Sequence, residues 1–129
     1  MQSFYESSST PSTMEASRIS DIMSCQPDFV SEAADADQAY CQTTPKGSPT
    51  WLRLPEFLRP ASWKDKFHDA VVLMLKNLYG HQQAADWWHD HSNEVVVSVG
   101  FALVSESWFS VYFHFQLLTL LIVFVNDYK

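Results

Sequence analysis

Glycine, cysteine and positive charge are all scarce in this 129-residue chain, and each scarcity removes a class of protein. Three glycines exclude a collagen-like or glycine-rich fibrous architecture. Two cysteines, Cys25 and Cys41, allow at most one disulfide and show no Cys-x-x-Cys spacing. Neither a secreted disulfide scaffold nor a four-cysteine zinc site is available, and free intracellular thiols are the expectation. Eight basic against fifteen acidic side chains leave a net charge of −7, without the positive field of a self-sufficient nucleic-acid-coating module. The opening residues lack the charged start and apolar core of a secretory signal, and Arg18 stands alone where a transit peptide carries several arginines. An intracellular location, in cytoplasm or nucleus, is therefore expected. What the chain does have is apolar surface to bury: 47% of it is hydrophobic and 15% aromatic, too much for a wholly disordered protein. Its length suits one modest domain.

The apolar content is unevenly spread. Ser3 to Ser24 is dominated by Ser and Thr, as in Ser7-Ser8-Ser9-Thr10-Pro11-Ser12-Thr13. Such a stretch buries too little to offset its ordering entropy, so residues 1–27 read as a disordered leader and residues 28–129 as the folded part. Pro45, Gly47 and Pro49 mark a turn before the alternating run Thr50 to Leu54, a short strand that Pro55 ends. After the break at Arg59-Pro60-Ala61-Ser62, the apolar run Ala70 to Leu75 fits either a strand or part of a helix begun at Ser62 with Asp65 in its first turn. Gly80 closes that element. Ala84, Trp88, His91, Val95 and Val99 then recur at helical spacing and define one face of a helix from about Gln83 to Val99, with Gly100 where its C-terminal cap belongs.

Between Glu106 and Asp127 no side chain is formally charged apart from His114, and Leu117 to Val125 is apolar but for Thr119. Two readings fit. A membrane tail anchor over Trp108 to Val125 would form one continuous helix. Alternatively, Ser110, Tyr112, His114 and Gln116 alternate as in a half-exposed strand, and the β-branched end of the run suits a second strand buried on both faces.

Three blocks, in order along the chain, match one known family. Asp35-Ala36-Asp37-Gln38-Ala39-Tyr40 resembles the first catalytic motif of reverse transcriptases, an acid followed after four residues by an aromatic. Lys76-Asn77-Leu78-Tyr79-Gly80-His81-Gln82-Gln83-Ala84-Ala85-Asp86-Trp87-Trp88 resembles the Leu-Tyr-Gly, Gln-Ala and Trp block of copia-type retrotransposon polymerases, and is the most specific of the three. Leu121-Ile122-Val123-Phe124-Val125-Asn126-Asp127 resembles the apolar strand that enters the family's Tyr-Val-Asp-Asp turn. Thr50-Trp51-Leu52-Arg53-Leu54-Pro55 and Gly100-Phe101 add lesser matches, so the resemblance spans roughly the last hundred residues.

The resemblance implies an RNA-directed DNA polymerase, a nucleotidyltransferase of a transposable element, present here as a partial domain. The implied fold is α+β: palm with part of the fingers, a mainly antiparallel sheet with one helix packed on it. It implies strands at Ala70 to Leu75, Ser110 to Phe115 and Leu117 to Val125, with Asp35 beside Asp127. Nucleotide addition in this family is an in-line phosphoryl transfer at two Mg²⁺ ions, which take hard oxygen ligands. Asp35, the backbone carbonyl of Ala36 and Asp127 would be the metal ligands, with Asn126 at a degenerate catalytic position where the family has Asp. Tyr40 would lie beneath the incoming sugar, and Gln83 would contact the nucleotide or its template; the family's basic residue after Gln-Ala is Asp86 here. The implied partners are an RNA or DNA template-primer and a deoxynucleotide, with no membrane. The loss of charge at Asn126 implies a chain inactive as it stands. The chain is also expected to stop before the second strand of the acidic hairpin, leaving a long hydrophobic sheet edge and poor solubility.

Blander roles compete for several of these residues. Asp35 and Asp37 alone would be solvated loop acids, and Trp87 and Trp88 core and rim aromatics. Asp86, His89, Asp90 and His91 are dense enough for zinc, but successive helical residues diverge and His-Glu-x-x-His is absent.

Overall fold

The computed structural model describes residues 14–64 and 66–129. Its architecture is α+β. Two α-helices, α1 (Met14–Ser24) and α2 (Ala84–Ser98), accompany strands β1 (Ala34–Asp35), β2 (Trp51–Arg53), β3 (Val71–Leu73), β4 (Ala102–Leu103), β5 (Val111–His114), β6 (Thr119–Phe124) and β7 (Asp127–Tyr128). The main sheet runs β1-β7-β6-β5-β4, antiparallel throughout, and β2 and β3 form a separate antiparallel pair.

The two faces of the main sheet follow from strand alternation. On β6, Ile122 points to one face and packs with Val111 and Ala16 of α1, flanked by Trp108 and Leu120. Val123 points to the other and packs with Tyr112 and Val96 of α2, flanked by Phe101, Leu121 and Tyr128. One helix therefore covers each face, and β6 supplies both cores. Fully burying a side chain of this size contributes about 1.5–3 kcal/mol.

Several expectations change. Residues 1–13 of the expected leader lie outside the described residues, but Met14–Ser24 is a helix. It gains by packing on β6 the burial that its composition alone does not promise, with Ala16 almost wholly enclosed. The ambiguous run at 70–75 is a strand over Val71–Leu73 only, and Ala61–Trp63 is no more than one 3-10 turn; Asp65 lies outside the described residues. Residues 108–125 form the β5–β6 hairpin instead of one continuous helix. No helix among the described residues is long and apolar enough to cross a membrane. The second strand of the acidic hairpin does form, as β7. The apolar strand β6 is thus interior, and among the described residues the main sheet ends instead in the two-residue strands β1 and β4, not in a long hydrophobic strand.

Helix α2 runs almost as the spacing predicts, but its buried face is rotated. Ala84, Trp87, Trp88, Ser92 and Val96 are buried, whereas Val95 and Val99 are exposed. Ser92 lies inward because its hydroxyl shares a 2.7 Å hydrogen bond with the Tyr128 phenol on the sheet face that α2 packs against. The helix ends in a Schellman motif: the Phe101 amide reaches the Val96 carbonyl at 3.3 Å and the Gly100 amide the Val97 carbonyl at 3.0 Å. Gly100 sits at φ +103°, and a Cβ there would lie 2.6 Å from His114 Nε2. The Leu117 amide donates to His114 Nδ1 at 3.2 Å, which leaves Nε2–H to donate to the Val99 carbonyl at 3.2 Å.

Gly100→Ala is expected to lower the unfolding free energy by about 1–3 kcal/mol through backbone strain, with the His114 contact adding to it. Gly80→Ala, at φ +93° with nothing within 4 Å of the new Cβ, should cost less. Urea melts of the two variants measure the difference. The Tyr112 phenol, which donates to Asn93 Oδ1 at 3.0 Å, has its pKa raised, first by burial and second by Tyr128. The folded chain holds this proton more tightly than the unfolded chain, whose tyrosines titrate near pH ~10. Stability from this source is complete below that pH and is lost as pH rises above it. Denaturation from pH 9 to 11 should show a shallower fall for Tyr112→Phe than for the parent chain.

Candidate functional site

The candidate site forms where β1 meets the β6–β7 hairpin. Phe124 and Asp127 pair across the turn Val125–Asn126, and Asp127 in turn pairs with Asp35. Directly opposed residues of an antiparallel pair share a face. Asp35, Asp127 and Phe124 therefore lie on the face that carries Ile122 and α1, opposite to α2. The Ala36 amide donates to the Asn126 carbonyl at 2.8 Å, which makes Ala36–Asn126 a hydrogen-bonded pair and Asp35–Asp127 the closer, non-hydrogen-bonded kind. Both aspartates are solvent-exposed.

An open groove of about 730 Å³ adjoins them, lined by Met14 and Ser17 of α1, Ile122 and Phe124 of β6, and the two aspartates. The hairpin turn that presents Asp127 is strained. Val125 adopts φ +58°, a region that β-branched residues rarely enter. Trp88 holds it from the opposite face of the sheet, its indole Nε1–H donating to the Val125 carbonyl at 2.6 Å. A buried indole N–H needs an acceptor, and for Trp88 the Val125 carbonyl is that acceptor.

Asn126 does not act as a weakened acid here. Its side-chain amide donates to Asp35 Oδ1. The donor set is thus two carboxylates, a peptide carbonyl at Ala36, and an amide whose N–H group occupies one of the carboxylate oxygens. That set does not fit a centre for two Mg²⁺ ions, which needs anionic oxygens turned toward the metals. Among the described residues, no group of three or more His, Cys, Asp or Glu side chains could hold a metal ion.

Tyr40 and Gln83 belong to a second assembly. The Tyr40 ring lies 4.6 Å from that of Tyr79, and Gln83 is the exposed residue that precedes α2. Neither lines the groove at the aspartates. The residue that organises this assembly is Asn77, which no motif in the sequence marks out as functional. It is completely buried; its Nδ2 donates to Thr43 Oγ1 at 3.3 Å and to the Ala84 carbonyl at 3.2 Å, and its Oδ1 accepts from the Leu78 amide at 3.0 Å. Thr43 Oγ1 donates onward to the Tyr40 carbonyl at 2.8 Å. Asn77 thereby ties the 3-10 turn Ala39–Gln42, the Leu78-Tyr79-Gly80 turn and the start of α2 into one unit. A polar side chain inside an apolar block was the available signal, since a buried amide must find several partners.

The remaining candidates have structural roles. Trp87 and Trp88 are both buried, and Trp87 stacks on His81 with ring centroids 4.9 Å apart. Asp90 accepts from Lys46 at 3.3 Å, and His91 lies against Trp88 at 5.8 Å. His89 is half-exposed. No protein-family model, no curated protein and no solved structure matches the chain.

Proposed function

We propose that residues 28–129 are part of the palm of a copia-type retrotransposon reverse transcriptase that no longer performs nucleotidyl transfer. The observation that carries this reading is the Asp35–Asp127 cross-strand pair, which joins two exposed residues from the two ends of the folded chain on one face of the sheet. The order of the Asp35, Lys76–Trp88 and Leu121–Asp127 blocks supports it, as do the α+β architecture and the two-residue turn at Val125–Asn126. On this reading the ancestral partners were a template-primer and a deoxynucleotide, joined at Mg²⁺.

The loss of transfer follows from Asn126. A developing phosphoryl charge needs cations, and cations need the negative charge that this position has given up. Each ~1.4 kcal/mol of lost transition-state stabilisation reduces the rate about tenfold.

Two measurements test the reading. In a Cys25→Ser, Cys41→Ser background, Asp35→Cys with Asp127→Cys should oxidise to an intramolecular disulfide, because adjacent strands bring Cα atoms within the ~4.4–6.8 Å that a disulfide spans. Persistent free thiols under mild oxidation would show that the two positions do not face each other. In a primer-extension assay with Mg²⁺, the full chain should give no product above a protein-free control. Turnover in the ordinary enzymatic range, about 1 s⁻¹ or faster, would contradict the assignment of an inactive palm.

A further inference from the structure

The hydrogen bond between Asn126 and Asp35 has a consequence for how the sheet is held together. Strand β1 is two residues long and, among the described strands, pairs with β7 only. Asn126 grips it twice: its backbone carbonyl accepts from the Ala36 amide at 2.8 Å, and its side-chain amide donates to Asp35 Oδ1. The Nδ2 assignment is chemically forced, since the alternative sets the amide oxygen against a carboxylate oxygen, with no hydrogen between two acceptors.

Two carboxylates directly opposed on a sheet repel each other. Such a pair needs a compensating positive charge or donor, and here the donor is an amide from the same turn. We infer that Asn126 is a positioning residue that clamps β1 onto the hairpin through its amide and makes this junction independent of divalent cations. The inference rests on the polymerase-derived reading only for what the clamp has replaced, a cation that once bridged the two strands. The clamp itself rests on the hydrogen bonds.

An acid at position 126 would remove the donor and set a third carboxylate beside Asp35 and Asp127. Strand β1 would then stay docked only when a cation offsets the repulsion. Substitution to alanine would remove the donor and add no charge, so no cation would compensate.

Amide hydrogen exchange of the full chain, read at Ala36 with and without 10 mM Mg²⁺ (roughly the excess that saturates a millimolar site), tests the clamp. In the parent chain the Ala36 rate should change by less than about twofold on adding Mg²⁺. In Asn126→Asp without cation the rate should rise about tenfold, matching the loss of one hydrogen bond to a charged group, and Mg²⁺ should reverse most of the rise. In Asn126→Ala it should rise and stay raised. Val123, inside the sheet, serves as the internal reference for global unfolding in every variant.

Ala36 exchange in the parent chain slowed severalfold by Mg²⁺ would overturn the inference, because the junction would then be cation-bridged, and the polymerase reading would stand. Unchanged exchange in both variants would also overturn it. A rise in Asn126→Asp that Mg²⁺ fails to reverse would uphold the clamp and count against the polymerase reading.

Discussion

The structure depends on β6 being apolar on both faces and enclosed by strands on both sides. Ile122 and Val123 are consecutive, yet one packs beneath α1 and the other beneath α2. This arrangement has a cost in specificity. Sheet register is usually fixed by alternation of apolar and polar residues, since a slip by one position turns the apolar set toward water. In Leu120-Leu121-Ile122-Val123 a slip exchanges one apolar residue for another. The register must come from elsewhere, and the turn at Val125–Asn126 supplies it. Trp88 fixes the Val125 carbonyl from one face, and Asn126 holds Ala36 and Asp35 at the sheet edge. A slip would also move Asp127 to the α2 face, away from Asp35. The contacts that define the hairpin are therefore the ones that bring the acids together.

How far the fold was legible follows from the same physics. Strands at β2, β3, β5 and β6 and the helix α2 each carry a local signal: alternation, a bounding proline or glycine, or helical spacing. The strands β1 and β7 carry none, because two residues have no period; they exist through each other and through β6. Helix α1 was hidden by composition, since its only deeply buried residue is Ala16 and its Met14 and Ile22 remain exposed. The buried face of α2 was misread in the run Val95-Val96-Val97, where any of three residues could have pointed inward. Ser92 decides the matter, and a serine announces a buried face only once Tyr128 is known to stand opposite it.

The site was legible in part for a different reason. The proximity of Asp35 and Asp127 is what the resemblance to a polymerase family implies, and no local pattern in the sequence contains it. The behaviour of Asn126 was not available in that way. An asparagine carries a donor and an acceptor of equal reach, and which one faces a neighbouring carboxylate is settled by geometry alone. Tyr40 and Gln83 show the converse: their positions match a motif, but the unit they join is organised by Asn77 around the start of α2, and they do not line the groove beside the acids. The polar groupings at Asn77 and Asn126 each tie together elements that the sequence presents separately.

Asp35 and Asp127 stand directly opposite each other as a non-hydrogen-bonded antiparallel pair. In such a pair the two Hα atoms point at each other across the strands and lie closer than in any other sheet register. A ¹³C-edited NOESY spectrum of the full chain measures this directly. A strong Hα–Hα cross-peak between Asp35 and Asp127 is expected. Its absence in a spectrum that shows the corresponding peak between Val123 and Tyr128 would contradict the pairing.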